Sequence, residues 1–262
     1  MAYNMIGVKN GSNFRELTGY KNKDGLTIKP NKLLRSGHLG DLSDADMKVL
    51  KDHGLTYDMD FRSQEEITAV PDRVPEGVEY VWNPVFSQDL TDNSKSATEL
   101  ADETTDDPKF GFNRMIYAYH DIVLGEKAQK AYRKFFDYLL KNDQDNEALL
   151  FHCTAGKDRT GMAGVFLMHA LGMDYETIKE DYLLTNQASK PYIDNRLGLV
   201  EEKGGDPVTY QAVKDLVSVQ EGYINYALEL MDKDFGGIDN YLKDILGVTD
   251  DKIKKLREIY LH

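Results

Sequence analysis

Ala148-Leu149-Leu150-Phe151-His152-Cys153-Thr154-Ala155-Gly156-Lys157-Asp158-Arg159-Thr160-Gly161-Met162-Ala163-Gly164-Val165 is the stretch from which the rest of the 262-residue chain can be read, and it holds the only cysteine. Its first five residues are an apolar run of strand length. Behind the cysteine, Met162, Val165, Phe166 and Ala170 recur at helical spacing until Gly172 stops the helix. Cys153 to Thr160 is therefore a loop between a buried strand and a helix N-terminus, which predicts an α/β layer fold.

Such a loop suits an anion. Successive backbone N–H groups from Thr154 through Ala155, Gly156 and Lys157 can curl into a nest, and the helix start around Thr160 and Gly161 adds unpaired donors and positive dipole. Arg159, six residues past Cys153, supplies a planar fork for two oxygens. The same field favours the thiolate, which makes Cys153 a nucleophile at neutral pH. Thr160 is expected to hydrogen-bond the sulfur and ease its departure.

The run His152-Cys153-Thr154-Ala155-Gly156-Lys157-Asp158-Arg159-Thr160-Gly161 resembles the His-Cys-x5-Arg-Ser/Thr-Gly phosphate loop of the cysteine-dependent protein tyrosine phosphatase superfamily. Asn13-Phe14-Arg15-Glu16-Leu17, Leu34-Arg35-Ser36-Gly37, Asp60-Phe61-Arg62-Ser63 with Glu66, and Asp181-Tyr182-Leu183-Leu184 look like a bacterial branch of it. The resemblance implies hydrolysis of phosphotyrosine on proteins, and of phosphoinositides in many members, through a phosphocysteine. It implies no metal and no organic cofactor, since loop and Arg159 carry the charge stabilisation. Lys157 resembles the extra cation of members that act on phosphoinositides, where it can hold a second phosphate. Tyrosine phosphatases with a mobile Trp-Pro-Asp loop take their general acid from it, but here the chain reads Trp82-Asn83-Pro84. Asp158, fixed inside the loop, is placed ahead of Asp89 for that role.

Other readings fit less well. A lone cysteine is usually a buried structural residue, but here it has Arg159 and a strand-loop-helix setting. A nucleotide P-loop needs a glycine where Phe151 stands and Ser or Thr where Asp158 stands. A metal site needs three or four ligands, and His152 with Cys153 gives two. A cysteine phytase acting on inositol phosphates, or a phosphate-binding module without turnover, remains as an alternative.

Composition narrows the partners. A net charge of −13 argues against nucleic acid. An acidic chain that binds an anion must gather its cations locally, and Lys157, Arg159, Arg62 and Arg35 are the candidates. Arg35 and Arg62 have a second reading as salt bridges that brace the loops, with Asp60 as a supporting group. His38 has a reading as a pocket group and another as a structural histidine. The sequence shows no signal-peptide h-region and no apolar run of spanning length, which predicts no membrane insertion and, with a single cysteine, a cytoplasmic home.

The rest of the chain reads as support. Ser43 with Asp46, and Ser63 with Glu66, form capping boxes for two short helices. Leu33–Leu34, Leu55–Phe61 and Val78–Trp82 read as strands. Residues 87–110 hold seven acidic and two basic side chains and read as surface loop or as part of a flap over the pocket, spanning 87–125. Glu126–Lys141 is a strongly amphipathic helix. Asp174 caps Tyr175–Thr185; Pro191–Val200, one long helix from Val208 to Asp234, Ile238–Leu246 and Asp250–Leu261 with Thr249 as cap follow. The expected whole is a single domain over 1–262, with a central, mostly parallel sheet flanked by helices, a helical C-terminal third, and one phosphate site at the C-terminal edge of the sheet.

Overall fold

The structure, a computed structural model, describes residues 5–92, 95, 96, 99, 100, 103 and 107–262. Its sheet contains β1 (Arg15–Glu16), β2 (Leu33–Ser36), β3 (Leu55–Asp60), β4 (Glu79–Trp82) and β5 (Ala148–His152) in the order β1-β2-β5-β3-β4. β1 pairs antiparallel with β2, and every other pairing is parallel. The mixed α/β fold and its mostly parallel sheet are those the strand-loop-helix stretch predicts.

β5 is central because it is apolar on both faces, as a strand covered from both sides must be. Leu149 and Phe151 join the larger core with Phe135, Tyr132 and Phe166, while Ala148 and Leu150 join a smaller one with Leu34, Leu50 and Leu55. That alternation is the two-residue period of a strand dividing its side chains between two layers. Register places His152 beside Ser36 of β2 and Asp60 of β3. Three parallel strands thus end side by side, and their next residues, Gly37, Phe61 and Cys153, open the site.

The helices are α1 (Asp44–Asp52), α2 (Gln64–Ala69), α3 (Phe110–Leu124), α4 (Glu126–Lys141), α5 (Arg159–Ala170), α6 (Tyr175–Ala188), α7 (Lys190–Glu202), α8 (Pro207–Val217), α9 (Glu221–Phe235) and α10 (Asp250–Tyr260), with a short turn at Ile238–Asn240 running into a π-helical turn at Tyr241–Ile245. Both expected capping boxes are present, with donor and acceptor exchanged between Ser43 and Asp46 and between Ser63 and Glu66. In α5 every residue but His169 is buried, so the helix that follows Cys153 lies inside the protein. No helix among the described residues is long and apolar enough to cross a membrane.

Two expectations are corrected. The second half of the supposed flap is α3, whose Met115, Tyr119, Ile122 and Val123 lie in the core with no exposure. Of the first half, residues 93, 94, 97, 98, 101, 102 and 104–106 lie outside the described residues. The single long helix expected over 208–234 is broken between α8 and α9, where Ser218 is extended. Periodicity continues across the break because both helices face the same core. A side chain bridges it: Asn186 Nδ2 donates to the Val219 carbonyl (2.8 Å), and Asn186 Oδ1 accepts the Val219 N–H (2.9 Å). Asn186→Ala leaves both groups of the buried Val219 peptide without partners and should lower unfolding free energy by about 1–3 kcal/mol in a denaturant titration.

Candidate active site

The loop after β5 turns at Gly156, whose φ is +67°. A Cβ there would lie 2.2 Å from the Ser36 carbonyl oxygen, so glycine is required twice over. The loop's carbonyls are taken from outside. His38 N–H donates to Thr154 O (3.0 Å), while Asn13 Nδ2 (2.8 Å) and Arg35 Nη2 (3.0 Å) donate to Gly156 O. The loop's N–H groups are not: those of Thr154 to Lys157 donate to no other described residue. α5 begins at Arg159 with no side-chain cap, because the carboxylate of Asp158 turns elsewhere.

Arg159 is fully buried and held by Glu66 in a bidentate pair, Nη1 to Oε2 and Nη2 to Oε1, each at 2.7 Å. Nη2 also donates to Thr91 Oγ1 (3.2 Å) and lies 3.6 Å from Asp89 Oδ1. The Glu66 carboxylate accepts the Ser63 N–H and the Thr154 hydroxyl as well. Burial alone would raise the Glu66 carboxyl, but the charge of Arg159 and these hydrogen bonds bring it down to about 2. Arg159 Nε and Thr160 Oγ1 are buried and have no hydrogen-bond partner among the described residues. The bond expected from Thr160 to the sulfur is therefore not formed, and its hydroxyl joins the set of unpaired donors.

Lys157 is 1% exposed, about as buried as Cys153 and Arg159, and its ammonium lies 2.7 Å from Asp158 Oδ2, an ion pair without the alignment of a hydrogen bond. Asp158 is fully buried and accepts the Tyr119 hydroxyl at 3.1 Å. Neither residue lines the cleft above the loop. Arg35 and Arg62 are braces. Arg35 Nη1 donates to Asp181 Oδ2 (2.6 Å), and Asp181 also takes Arg15 Nε and the Tyr20 hydroxyl. Arg62 binds Asp60 through Nε and Nη2, Asp72 through Nη2 and the Val70 carbonyl through Nη1.

Behind Cys153 lies a buried ion-pair network. His152 Nε2 is 3.1 Å from Asp58 Oδ1 and 3.3 Å from Asp72 Oδ2, while Nδ1 lies 3.2 Å from the Cys153 carbonyl. A carbonyl only accepts, so Nδ1 carries a proton, while Nε2 faces Asp58 and Asp72 without the alignment of a hydrogen bond. Burial would lower the imidazole, but Asp60, Asp72 and Asp58 hold it well above its ordinary range. Asp58, Asp72 and His152 are the described residues that come close enough together to ligate a metal.

A cleft of about 550 Å³ lies above the loop, with Thr154, Ala155 and Glu66 on its floor. Arg62 and His38 line it too; burial lowers the basicity of His38, whose Nδ1 accepts the Gly40 N–H. Lys95, Ser96 and Glu99 reach it from the segment after β4, so that segment does border the site. Cys153 and Arg159 are wholly buried beneath this floor.

A profile of the tyrosine phosphatase family matches residues 6–262. The chain belongs to that family. A Cupriavidus necator protein, H16_A0669, whose name places it among the tyrosine-protein phosphatases, is 31% identical over 95% of this chain and 86% of its own length. The triple specificity protein phosphatase PtpB of Mycobacterium tuberculosis is 26% identical over 95% of this chain and 96% of its own. A tyrosine-protein phosphatase of Nostoc commune is 26% identical over 88% of this chain and 74% of its own.

Sequence reading missed several residues of the family site. Glu66 was legible as a capping residue and, like Asn13, as part of a stretch resembling the bacterial branch, but not as the clamp of Arg159, and Thr91 and Tyr119 gave no signal. Glu66→Gln, which keeps shape but not charge, should cost about 3 kcal/mol at neutral pH. Because the folded carboxyl is held below its ordinary 4.5, that contribution is present above pH 4.5 and lost as pH falls toward about 2. Unfolding titrations of both proteins between pH 7 and 3 should show a constant gap that narrows only below 4.5.

Proposed function

We propose that the chain hydrolyses phosphomonoesters through a phosphocysteine on Cys153, with phosphotyrosine on proteins as its first substrate. The observation that carries this reading is the set of donors without acceptors: four consecutive N–H groups, Arg159 Nε and Thr160 Oγ1 in one loop. Buried donors are almost always paired, and a cluster of unpaired ones is what a bound phosphate would complete.

In the first step the Cys153 thiolate attacks phosphorus, the P–O ester bond breaks, and the leaving oxygen takes a proton from an aspartic acid. Arg159 and the loop N–H groups hold the equatorial oxygens through the transition state. In the second step water attacks the phosphocysteine, the same aspartate takes its proton, and the thiolate is restored. The loop binds the dianion with its own donors, and the reading involves no cofactor. The whole chain acts as one phosphatase domain in this reading, and a cytoplasmic location fits its composition. Phosphoinositides are a second substrate class, favoured by the cations Lys9, Arg62, Lys95 and Arg196 on the cleft wall. A phytase activity is covered by the same chemistry, and a module without turnover is disfavoured by the intact Cys153 and Arg159.

Two aspartates compete for the proton transfer. Asp158 is fixed in the loop and oriented by Tyr119, while Asp89 stands beside Arg159 on the segment that borders the cleft. Asp158→Asn and Asp89→Asn should differ in leaving-group dependence. The variant that lacks the acid loses on the order of a hundredfold or more on phenyl phosphate and far less on p-nitrophenyl phosphate. Cys153→Ser should abolish turnover of a phosphotyrosine peptide while calorimetry still detects peptide binding. Turnover comparable to the parent in that variant would overturn the proposal.

A further inference from the structure

The cleft above the loop is bounded on one side by a ridge of small residues, Thr68-Ala69-Val70-Pro71, all of them exposed. Ala69 and Val70 line the cleft, while Thr68 and Pro71 line a second cavity of about 360 Å³ together with Gln64, Ile67, Val74 and Tyr80. α2 thus serves both: its Glu66 holds Arg159, and its Ile67 and Thr68 belong to the second cavity. The ridge is also held in place. Arg62, on the cleft wall, donates through Nη1 to the Val70 carbonyl (2.8 Å) and pairs through Nη2 with Asp72, which lines the second cavity.

The two cavities differ in chemistry. In the second one the polar groups are committed: Asp72 to Arg62 and to the Leu39 N–H, the Thr68 hydroxyl to the Gln64 carbonyl (2.7 Å), and the Gln64 amide to Thr68 Oγ1 (3.2 Å). The Tyr80 hydroxyl donates to Asp60 Oδ2 (2.8 Å), which fixes a ring that is still exposed. What remains for a ligand is apolar: Ile67, Pro71, Val74 and the Tyr80 ring. No lysine, arginine or histidine is among the residues that line it, so it is no place for a phosphate. A concave apolar surface with a polar rim is the form of a site for an apolar group.

Its occupant follows from its neighbour. A phosphotyrosine that reaches down the cleft belongs to a chain that has to leave over the rim, and on this side the rim is the ridge. One helix is roughly 10 Å wide, which about three residues of extended peptide span. We infer that the cavity between Ile67, Pro71, Val74 and Tyr80 is a specificity subsite that takes a large apolar side chain of a peptide substrate, about three residues from its phosphotyrosine. The inference rests on the phosphotyrosine reading of the Cys153 loop and names a feature of the peptide that the loop works on.

The test moves a single leucine along an otherwise serine-rich phosphotyrosine peptide and measures KM and kcat for the parent, Ile67→Ser, Thr68→Glu and Val74→Glu. Leucine at the spanning distance should lower the parent's KM about tenfold against serine there, with kcat little changed. Each variant should erase that gain and leave the kinetics on the all-serine peptide and on p-nitrophenyl phosphate near those of the parent. Val74 lies outside α2, so its variant separates the cavity from any disturbance of the helix. Calorimetry of the same peptides on Cys153→Ser should give the same ranking without turnover. A leucine that helps at no position, or a gain that survives in all three variants, overturns the subsite. So does a loss in all three on p-nitrophenyl phosphate, which would make the ridge a brace of the loop, or a loss confined to a phosphoinositide in vesicles, which would give the cavity to acyl chains. Failure of the parent on every ester, p-nitrophenyl phosphate included, would instead overturn the phosphatase reading itself.

Discussion

The bidentate pair between Glu66 and Arg159 is the contact on which the site depends. One buried carboxylate closes the N-terminus of α2 by accepting the Ser63 N–H, fixes the fork of Arg159 and takes the hydroxyl of Thr154. Breaking a buried pair of this kind is expensive because it strands a charge. The arrangement therefore ties α2, β3 and the Cys153 loop into one rigid unit. It also engages both terminal nitrogens of Arg159, while Nε has no hydrogen-bond partner among the described residues.

Around that clamp the chain sorts its charges by depth. Arg15 and Arg35 are buried on Asp181, and Arg62 on Asp60 and Asp72, and among them Arg35 also grips the loop through the Gly156 carbonyl. His152 sits behind Cys153 among three aspartates. These networks orient the loop. The field at its centre comes from Arg159, the N–H groups and the uncapped start of α5.

Much of this was legible in the sequence, for physical reasons that differ by element. β5 and α5 could be read because their apolar runs are uninterrupted, and the capping boxes because they are local, three residues apart. The place of Cys153 and Arg159 followed from the loop between them. What periodicity could not show were partners distant in sequence. Glu66 meets Arg159 across 93 residues and Arg35 meets Asp181 across 146. The break at Ser218–Gln220 was hidden because α8 and α9 share one core-facing phase. The ion pair between Lys157 and its neighbour Asp158 was not legible either, since no spacing rule reports whether two adjacent side chains turn toward each other.

The central claim is that the loop's unpaired donors and Arg159 serve covalent phosphoryl transfer to Cys153. Rapid acid quench during turnover of p-nitrophenyl phosphate, followed by peptide mass spectrometry, tests it most directly. The account predicts a phosphate on the peptide that contains Cys153, formed within one turnover along with a stoichiometric burst of nitrophenol. Nitrophenol released with no phosphate ever found on Cys153, or with phosphate on another residue, would contradict it.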